Sequence, residues 1–127
     1  MFFCGIDIGK FSHVASIIDS DGNIIKTFAF KNSNDGFQIL LNTSKSISDD
    51  LDNIQFAMEA TGHYWLNVYS FLMDFAKSLF VINPIQSEAL RNLFIKSNKS
   101  DTIDSFIIAE VIRINRFSST SIASDNT

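Results

Sequence analysis

Four acidic residues stand where carboxylates could do chemistry: Asp7, Glu59, Asp101 and Asp104. The first lies in FFCGIDI, the second closes IQFAME, and the last two are one helical turn apart in SDTID. If these side chains meet, their charges repel one another unless they are protonated or bind cations. Oxygen ligands suit Mg²⁺ or Mn²⁺, and two such ions about 3.5–4 Å apart are the usual arrangement for displacement at a phosphodiester.

Alternating apolar residues and turn residues predict the elements that would carry these acids. Five strands are expected at residues 2–8, 13–19, 24–30, 54–59 and 79–82. Helices are expected after Ser33 or Asn34, from Thr61-Gly62 through HYWLNVYSFLMDFAKS to Ser78, around residues 85–94 and through SDTIDSFIIAEVI. Three antiparallel strands followed by alternating helices and strands predict an α/β fold on a mixed sheet. Ligand sites in such folds gather where strands end.

The last helix raises a question about its two aspartates. At about 100° per residue, Asp101 and Asp104 fall on the same stripe as Ile108, Val111 and Ile112, which should face the core. An alternative is that Asp101 caps the helix and Asp104 occupies its third position. Glu59 could similarly cap the following helix. Asp7 is harder to explain in that way, because strands disfavour aspartate.

Composition places the chain among globular proteins of one domain, with 46% hydrophobic and 19% charged residues. The net charge is −4, yet residues 1–76 carry −5 while residues 77–116 carry +2. Basic charge therefore gathers around Asp101 and Asp104, which permits a partner that bears phosphate. We expect an ordered domain over residues 1–116 and a polar, frayed tail over 117–127.

Location follows from features that the sequence does not contain. It has no apolar run of about 18 to 20 residues, so no membrane span is expected. The first residues do not resemble a signal peptide. Cys4 is the single cysteine, which fits a reducing cytoplasm.

The histidines and nearby aromatic residues are weaker candidates. His13 and His63 are far apart and have no metal-ligand spacing around them, so a zinc site is not expected. His63 could contact a substrate because it follows Glu59 closely. Tyr64 and Trp65 could stack on a base, although residues of this kind more often pack at the core or its rim.

The motifs GIDIGK, NSNDGF, MEATGHYW, VINP and KSNKSDTIDSFIIAE occur in that order. Together they resemble the N-terminal domain of the DEDD transposases of the IS one-ten and IS eleven-eleven families, to which the Piv invertases are related. The resemblance runs from about residue 3 to residue 115. The combination of EATG with an aromatic residue and K-x-D-x-x-D is specific, whereas GIDIGK alone is not.

The resemblance implies a RuvC-like fold of the RNase H type, with helices on both faces of the sheet. It also implies a tetrad of Asp7, Glu59, Asp101 and Asp104 that binds Mg²⁺ or Mn²⁺, with two ions expected, to cut and rejoin DNA strands. Such enzymes are directed by an RNA that the mobile element encodes, and dimers or tetramers are expected. By charge and position we expect nucleic-acid contacts from the following residues: Lys10, His63, Lys96 and Lys99. Family members continue into a C-terminal domain that supplies a serine, and this domain is expected to be absent here.

Two other interpretations stay open. GIDIGKFSHVASIIDSDGNII also resembles the phosphate-binding hairpin of sugar kinases and actin-like ATPases, although Lys10 stands where those proteins prefer Thr or Ser. Alternatively, the chain is a nucleic-acid-binding or assembly module that is inert without its partner domain. ATP binding would favour the first alternative, and failure to cleave branched DNA would favour the second.

Overall fold

The computed structural model describes residues 1–96 and 103–125. The strands are β1 (Phe2–Asp7), β2 (Ser12–Ile18), β3 (Ile24–Lys31), β4 (Ile54–Glu59) and β5 (Ser78–Ile82). The α-helices are α1 (Asn34–Ile47), α2 (Trp65–Met73), α3 (Pro84–Lys96) and α4 (Asp104–Asp125), and a 3-10 turn spans Leu51–Asn53. The predicted strands are confirmed to within a residue at each end.

The strands form one mixed sheet in the order β3-β2-β1-β4-β5. β1, β2 and β3 are antiparallel neighbours, as the meander in the sequence predicts. β4 then pairs parallel to β1, and β5 pairs parallel to β4. The carboxyl ends of β1, β4 and β5 consequently meet at the same edge of the sheet.

Helices cover both faces of this sheet, and each face has its own apolar core. On one face α1 and α2 bury Leu40 and Leu72 against Ile6, Phe56 and their neighbours. On the other face α4 buries a second set of residues against Phe3 and Ala57: Ile108, Ala109, Val111 and Ile112. The apolar stripe that the sequence predicts for α4 is therefore confirmed.

Gly5 allows α4 to approach β1 very closely. A Cβ atom built on Gly5 would overlap the carbonyl oxygen of Ser105 and the amide nitrogen of Ala109, and it would lie 3.1 Å from the Cα of Ala109. A buried hydrogen bond of 2.7 Å between the hydroxyls of Ser16 and Ser105 also holds the first turn of α4 on β2. Ser16 makes a second hydroxyl contact of 3.0 Å, with Thr27.

Local capping explains where two helices begin. Ser33 is the N-cap of α1, and its hydroxyl accepts a hydrogen bond from the amide of Gly36. Asn83 accepts one from the amide of Ile85 at 3.0 Å, and Pro84 fits the first position of α3 because that position needs no N–H donor.

Two helices differ from the sequence-based expectation. α2 ends at Met73, whereas the apolar spacing predicts a helix that runs on to Ser78, which instead begins β5. α4 begins at Asp104 and reaches Asp125, whereas the sequence predicts a polar tail from residue 117. Among the described residues, no helix is long and apolar enough to cross a bilayer.

Candidate active site at the carboxyl edge of the sheet

Two of the predicted acids end neighbouring parallel strands. Ile6 of β1 pairs with Met58 of β4, so Asp7 and Glu59 are the next residues along the two strands. Gly5 and Ala57, two residues earlier, pair on the face that α4 covers, and side chains alternate between faces. Asp7 and Glu59 therefore lie side by side on the α4 face, and both are partly exposed.

The third acid reaches this edge from the start of α4. The amide of Ile107 donates to the carbonyl of Ile103 at 3.1 Å, so the helix begins with Asp104 in its first turn. Asp104 is therefore the first residue of the helix, rather than the third as the capping alternative expects. The side chain of Asp104 is 54% exposed, so it does not enter the core as the helical stripe predicts. Asp104 lies at the N-terminal end of that stripe, where the helix is exposed. The fourth predicted acid, Asp101, lies outside the described residues.

The electrostatics of Asp7 link these three carboxylates. Burial raises the pKa of Asp7 above its ordinary value, and the negative charges of Asp104 and Glu59 raise it further. The positive charge of Arg91 opposes this effect. Because like charges influence one another in this way only at short range, the shift indicates that the three acids share one electrostatic environment.

Helix α3 supplies polar partners for two of the acids. The hydroxyl of Ser87 is buried and donates a short hydrogen bond to Glu59. Arg91, one turn further along, donates from Nη2 and Nε to the same oxygen of Asp104, at 2.9 and 3.2 Å. A third contact of 2.8 Å joins Arg91 Nη1 to Glu88. Glu59 and Asp104 are thus each held by a side chain of α3.

The donor chemistry of this edge suits a hard divalent cation, because carboxylate oxygens are the ligands that Mg²⁺ and Mn²⁺ prefer. Repulsion among Asp7, Glu59 and Asp104 would also be relieved by a bound cation. In the arrangement described here, however, no three acidic, histidine or cysteine side chains of residues 1–96 and 103–125 are grouped closely enough to hold a metal ion.

The structure describes the surroundings of two of the four predicted nucleic-acid contacts. Lys10 follows Asp7 in the turn after β1; it is exposed, and its ammonium lies 5.2 Å from the ring centroid of Phe11. His63 is also exposed and lies against Tyr64, with 4.7 Å between the ring centroids. Lys99 and the side chain of Lys96 are not among the groups that the structure describes. These four contacts remain predictions.

Sequence reasoning missed three residues that shape this edge: Gly5, Ser87 and Arg91. Two signals were available in the sequence. Ser87 and Arg91 are four residues apart, and residues so spaced share one face of a helix. Gly5 lies in a strand interior, where glycine often marks a close backbone approach. Neither signal identifies the partner, which lies far away in the sequence.

Similarity to solved structures supports the fold. Thermus thermophilus RuvC superposes with a TM-score of 0.66 at 13% identity, and the match covers 93% of this chain and 97% of RuvC. The complex of T. thermophilus RuvC with a Holliday junction substrate gives a TM-score of 0.64 at 12% identity, covering 92% and 96% of the two chains. The predicted RNase H-like fold is therefore confirmed.

A more distant likeness concerns the ATPase interpretation. A Bacteroides thetaiotaomicron protein of unknown function with an actin-like ATPase fold matches with a TM-score of 0.55 at 15% identity. The match covers 65% of this chain but only 33% of that protein. At this identity the likeness concerns the fold alone.

Comparison of the sequence with protein families assigns the chain to one of them. A search of curated proteins by sequence gave no match. The family model of the DEDD transposases of the IS one-ten type, described as transposase, matches residues 4–127. The match includes Asp7, Glu59, Asp101 and Asp104, as well as the residues after 116. On this evidence, together with its RuvC-like fold, the chain belongs to the DEDD transposases of the IS one-ten family.

Proposed function

We propose that this chain is the catalytic domain of a transposase that cuts and rejoins DNA strands with the help of divalent metal ions. The observation that carries this proposal is that Asp7 and Glu59 end neighbouring strands at the edge of the sheet where α4 begins with Asp104. The charges of Asp104 and Glu59 raise the pKa of Asp7 there, after burial. Ser87 and Arg91 are partners for Glu59 and Asp104, but the repulsion among the three carboxylates still needs a counter-charge. A site that binds cations would provide one.

The acids would hold Mg²⁺ or Mn²⁺ together with Asp101, the fourth member of the family tetrad. Two bound ions would activate the attacking oxygen and stabilise the leaving oxygen of a phosphodiester. The chain's own contribution is to fix the ligands. Parallel pairing of β1 and β4 fixes the spacing of Asp7 and Glu59, and Ser87 orients the carboxylate of Glu59.

The partner that we propose is DNA with a branch or junction. The relative with a similar fold, T. thermophilus RuvC, is described in complex with a Holliday junction substrate. Lys10 and His63 are exposed on loops that follow β1 and β4, so they could contact a DNA backbone beside the acids. Lys96 and Lys99 precede Asp101 and Asp104 in the sequence and would add positive charge.

Four finer elements of the proposal rest on family membership. An RNA encoded by the element would direct the choice of DNA. The chain would work as a dimer or tetramer together with a C-terminal domain that supplies a serine. Such a reaction would take place in the cytoplasm, at the nucleoid of a bacterium or archaeon.

The direct test is to incubate the purified chain with a labelled four-way junction in Mg²⁺, Mn²⁺ or EDTA, and to measure Mn²⁺ binding in parallel. We expect cleavage that needs metal and that Asp7→Asn abolishes. Asp49→Asn is the matched control, because Asp49 is an exposed acid in the loop before β4. Its activity should equal that of the wild type.

Other outcomes select the alternatives. Junction binding without cleavage, with Mn²⁺ bound, would favour an assembly module that needs its partner domain. Binding of ATP without any affinity for junctions would favour the actin-like interpretation. Equal cleavage by the wild type and Asp7→Asn would sink the proposed active site.

A further inference from the structure

The polar side chains of helix α3 contact two of the proposed metal ligands. Ser87 and Arg91 are one turn apart and bind Glu59 and Asp104 respectively. Arg91 also binds Glu88 on its own helix, so its guanidinium lies between two carboxylates. This position is well defined: all three of its donor nitrogens are engaged.

The charge of Arg91 opposes the repulsion among the acids. Its guanidinium binds Asp104, which lies at the edge where Asp7 and Glu59 end their strands. Arg91 therefore reduces the electrostatic cost of holding the carboxylates together, and a divalent cation would have the same effect. The guanidinium is, in this sense, a counter-ion that the chain itself provides.

Arg91 and a divalent metal ion cannot both bind oxygen Oδ1 of Asp104. Both contacts from Arg91 go to one oxygen, Oδ1, and occupy its lone pairs. A metal ion on that oxygen would place a double positive charge close to the guanidinium, and such charges repel strongly at short range. Contact between Arg91 and Asp104 and coordination of a metal by this carboxylate oxygen are therefore alternatives.

The ion pair between Arg91 and Asp104 is exposed and therefore weak enough for a metal ion to displace it. The side chains of Arg91 and Asp104 are 30% and 54% exposed. Exposed ion pairs contribute little to stability, because water screens the attraction and two flexible side chains must be held in place. Glu88 offers the guanidinium a second partner on the same helix after it leaves Asp104.

We propose that Arg91 is a positioning residue of the metal site: it holds Asp104 in the absence of a divalent cation and is displaced from Asp104 when one binds. This inference rests on the proposed function, because it requires that Asp104 be a metal ligand. It predicts two effects of removing the Arg91 side chain. The protein should be less stable when no metal is present, and it should bind metal more tightly.

The test compares wild type, Arg91→Gln and Arg91→Lys. Free Mn²⁺ is measured by electron paramagnetic resonance during titration, and thermal unfolding is measured in EDTA and in Mn²⁺. Relative to wild type, Arg91→Gln should bind Mn²⁺ roughly two- to fivefold more tightly, the range that an exposed ion pair implies. Its Tm in EDTA should fall by about 2 to 4 °C, and its gain in Tm from Mn²⁺ should be larger.

Two further variants separate a specific contact from a general change in charge. Lys26→Gln removes one positive charge from an exposed position on β3, the edge strand two strands away from β1, so Mn²⁺ affinity should stay at the wild-type value. In an Asp104→Asn background, the gain in Mn²⁺ affinity from Arg91→Gln should be clearly smaller, because the contact with Asp104 is already lost and only the longer-range effect of the charge remains. Arg91→Lys keeps the charge but loses the forked contact, so its affinity should be intermediate.

The outcomes distinguish this inference from the proposed function. If the wild type binds Mn²⁺ and Arg91→Gln binds it equally or more weakly, the inference is overturned and the metal site stands. An effect of Arg91→Gln that is as large in the Asp104→Asn background as in the wild type would also overturn it. If the wild type binds no Mn²⁺, the metal site fails and the role of Arg91 fails with it.

Discussion

Gly5 lies directly beneath Ser105, and the absence of a side chain at residue 5 lets the first turn of α4 rest on β1. The same turn carries Asp104, so the approach of these two backbones brings an acid of α4 to the edge where Asp7 and Glu59 end their strands. The geometry of the candidate site therefore depends on a residue that has no chemistry of its own.

Gly5→Ala should destabilise the fold and move α4. A methyl group here overlaps backbone atoms of Ser105 and Ala109, which cannot move without the helix. Overpacking of this kind typically costs about 1–3 kcal/mol, measured as a lower free energy of unfolding in urea. Gly62→Ala is the comparison, since its Cβ would meet nothing within 4 Å and only its positive φ of 62° opposes the change. A loss for Gly5→Ala no larger than that for Gly62→Ala would contradict the steric argument.

Ser105→Ala should loosen the attachment of α4 to the sheet. The substitution removes the buried contact with Ser16, while Ser16 keeps its contact with Thr27. We expect a loss of about 1 kcal/mol in the free energy of unfolding, the usual value for one hydrogen bond. Ser46→Ala removes an exposed hydrogen bond within α1 and should change stability by less than about 0.5 kcal/mol. Equal losses for the two variants would argue against a role of Ser105 in fixing α4.

Asp7→Asn should reverse its effect on stability when metal is added. The pKa of Asp7 is raised in the fold, so the folded chain binds more protons than the unfolded chain, and ionisation of Asp7 above its unfolded pKa reduces stability. In EDTA at pH 7, the neutral Asn should raise the free energy of unfolding by on the order of 1 kcal/mol or less, since the group is partly exposed.

In Mn²⁺ the order should change, because the wild type gains stability from the bound ion and the variant loses a ligand. Thermal unfolding of both proteins in EDTA and in a Mn²⁺ series measures this difference. An Asp7→Asn protein that gains as much from Mn²⁺ as the wild type would exclude Asp7 as a ligand.

His13 should make the protein sensitive to mild acid. The imidazole is fully buried, its Nδ1 accepts from the amide of Gly9 at 3.1 Å, and its ring meets Phe30 edge to face. Burial lowers the pKa of His13 below 6.5, and the side chain of Asn32 opposes this shift. The folded chain then binds fewer protons than the unfolded chain, so this contribution to stability is present above pH 6.5 and is lost as the pH falls below it.

Urea unfolding between pH 7.5 and pH 5 should therefore show a steeper loss of stability for the wild type than for His13→Gln. The variant has a lower stability at pH 7.5 because the buried ring is lost. The decisive quantity is the slope. Parallel pH profiles for the two proteins would rule out His13 as the group responsible. Substitution of the exposed His63 by Gln should leave the slope of the wild type unchanged.

The sequence by itself determined the strands, most of the helices and the identity of the acids at the strand ends. Alternation in FFCGIDI and IQFAME is a local pattern, because each strand buries one face of its own residues. The capping residues Ser33 and Asn83 act over a few positions and are equally local. Motif order across the chain pointed to the transposase family, which the family model confirms.

The tertiary structure decided how these parts meet. Three features join residues that are far apart in the sequence. They are the parallel pairing of β1 with β4, the close packing of α4 on Gly5, and the contacts of Ser87 and Arg91. Periodicity gives the direction of a side chain about its own helix axis but not the position of that helix. It therefore placed Asp104 on the core stripe. The packed helix instead carries Asp104 to the exposed edge, where Arg91 binds it and its charge raises the pKa of Asp7.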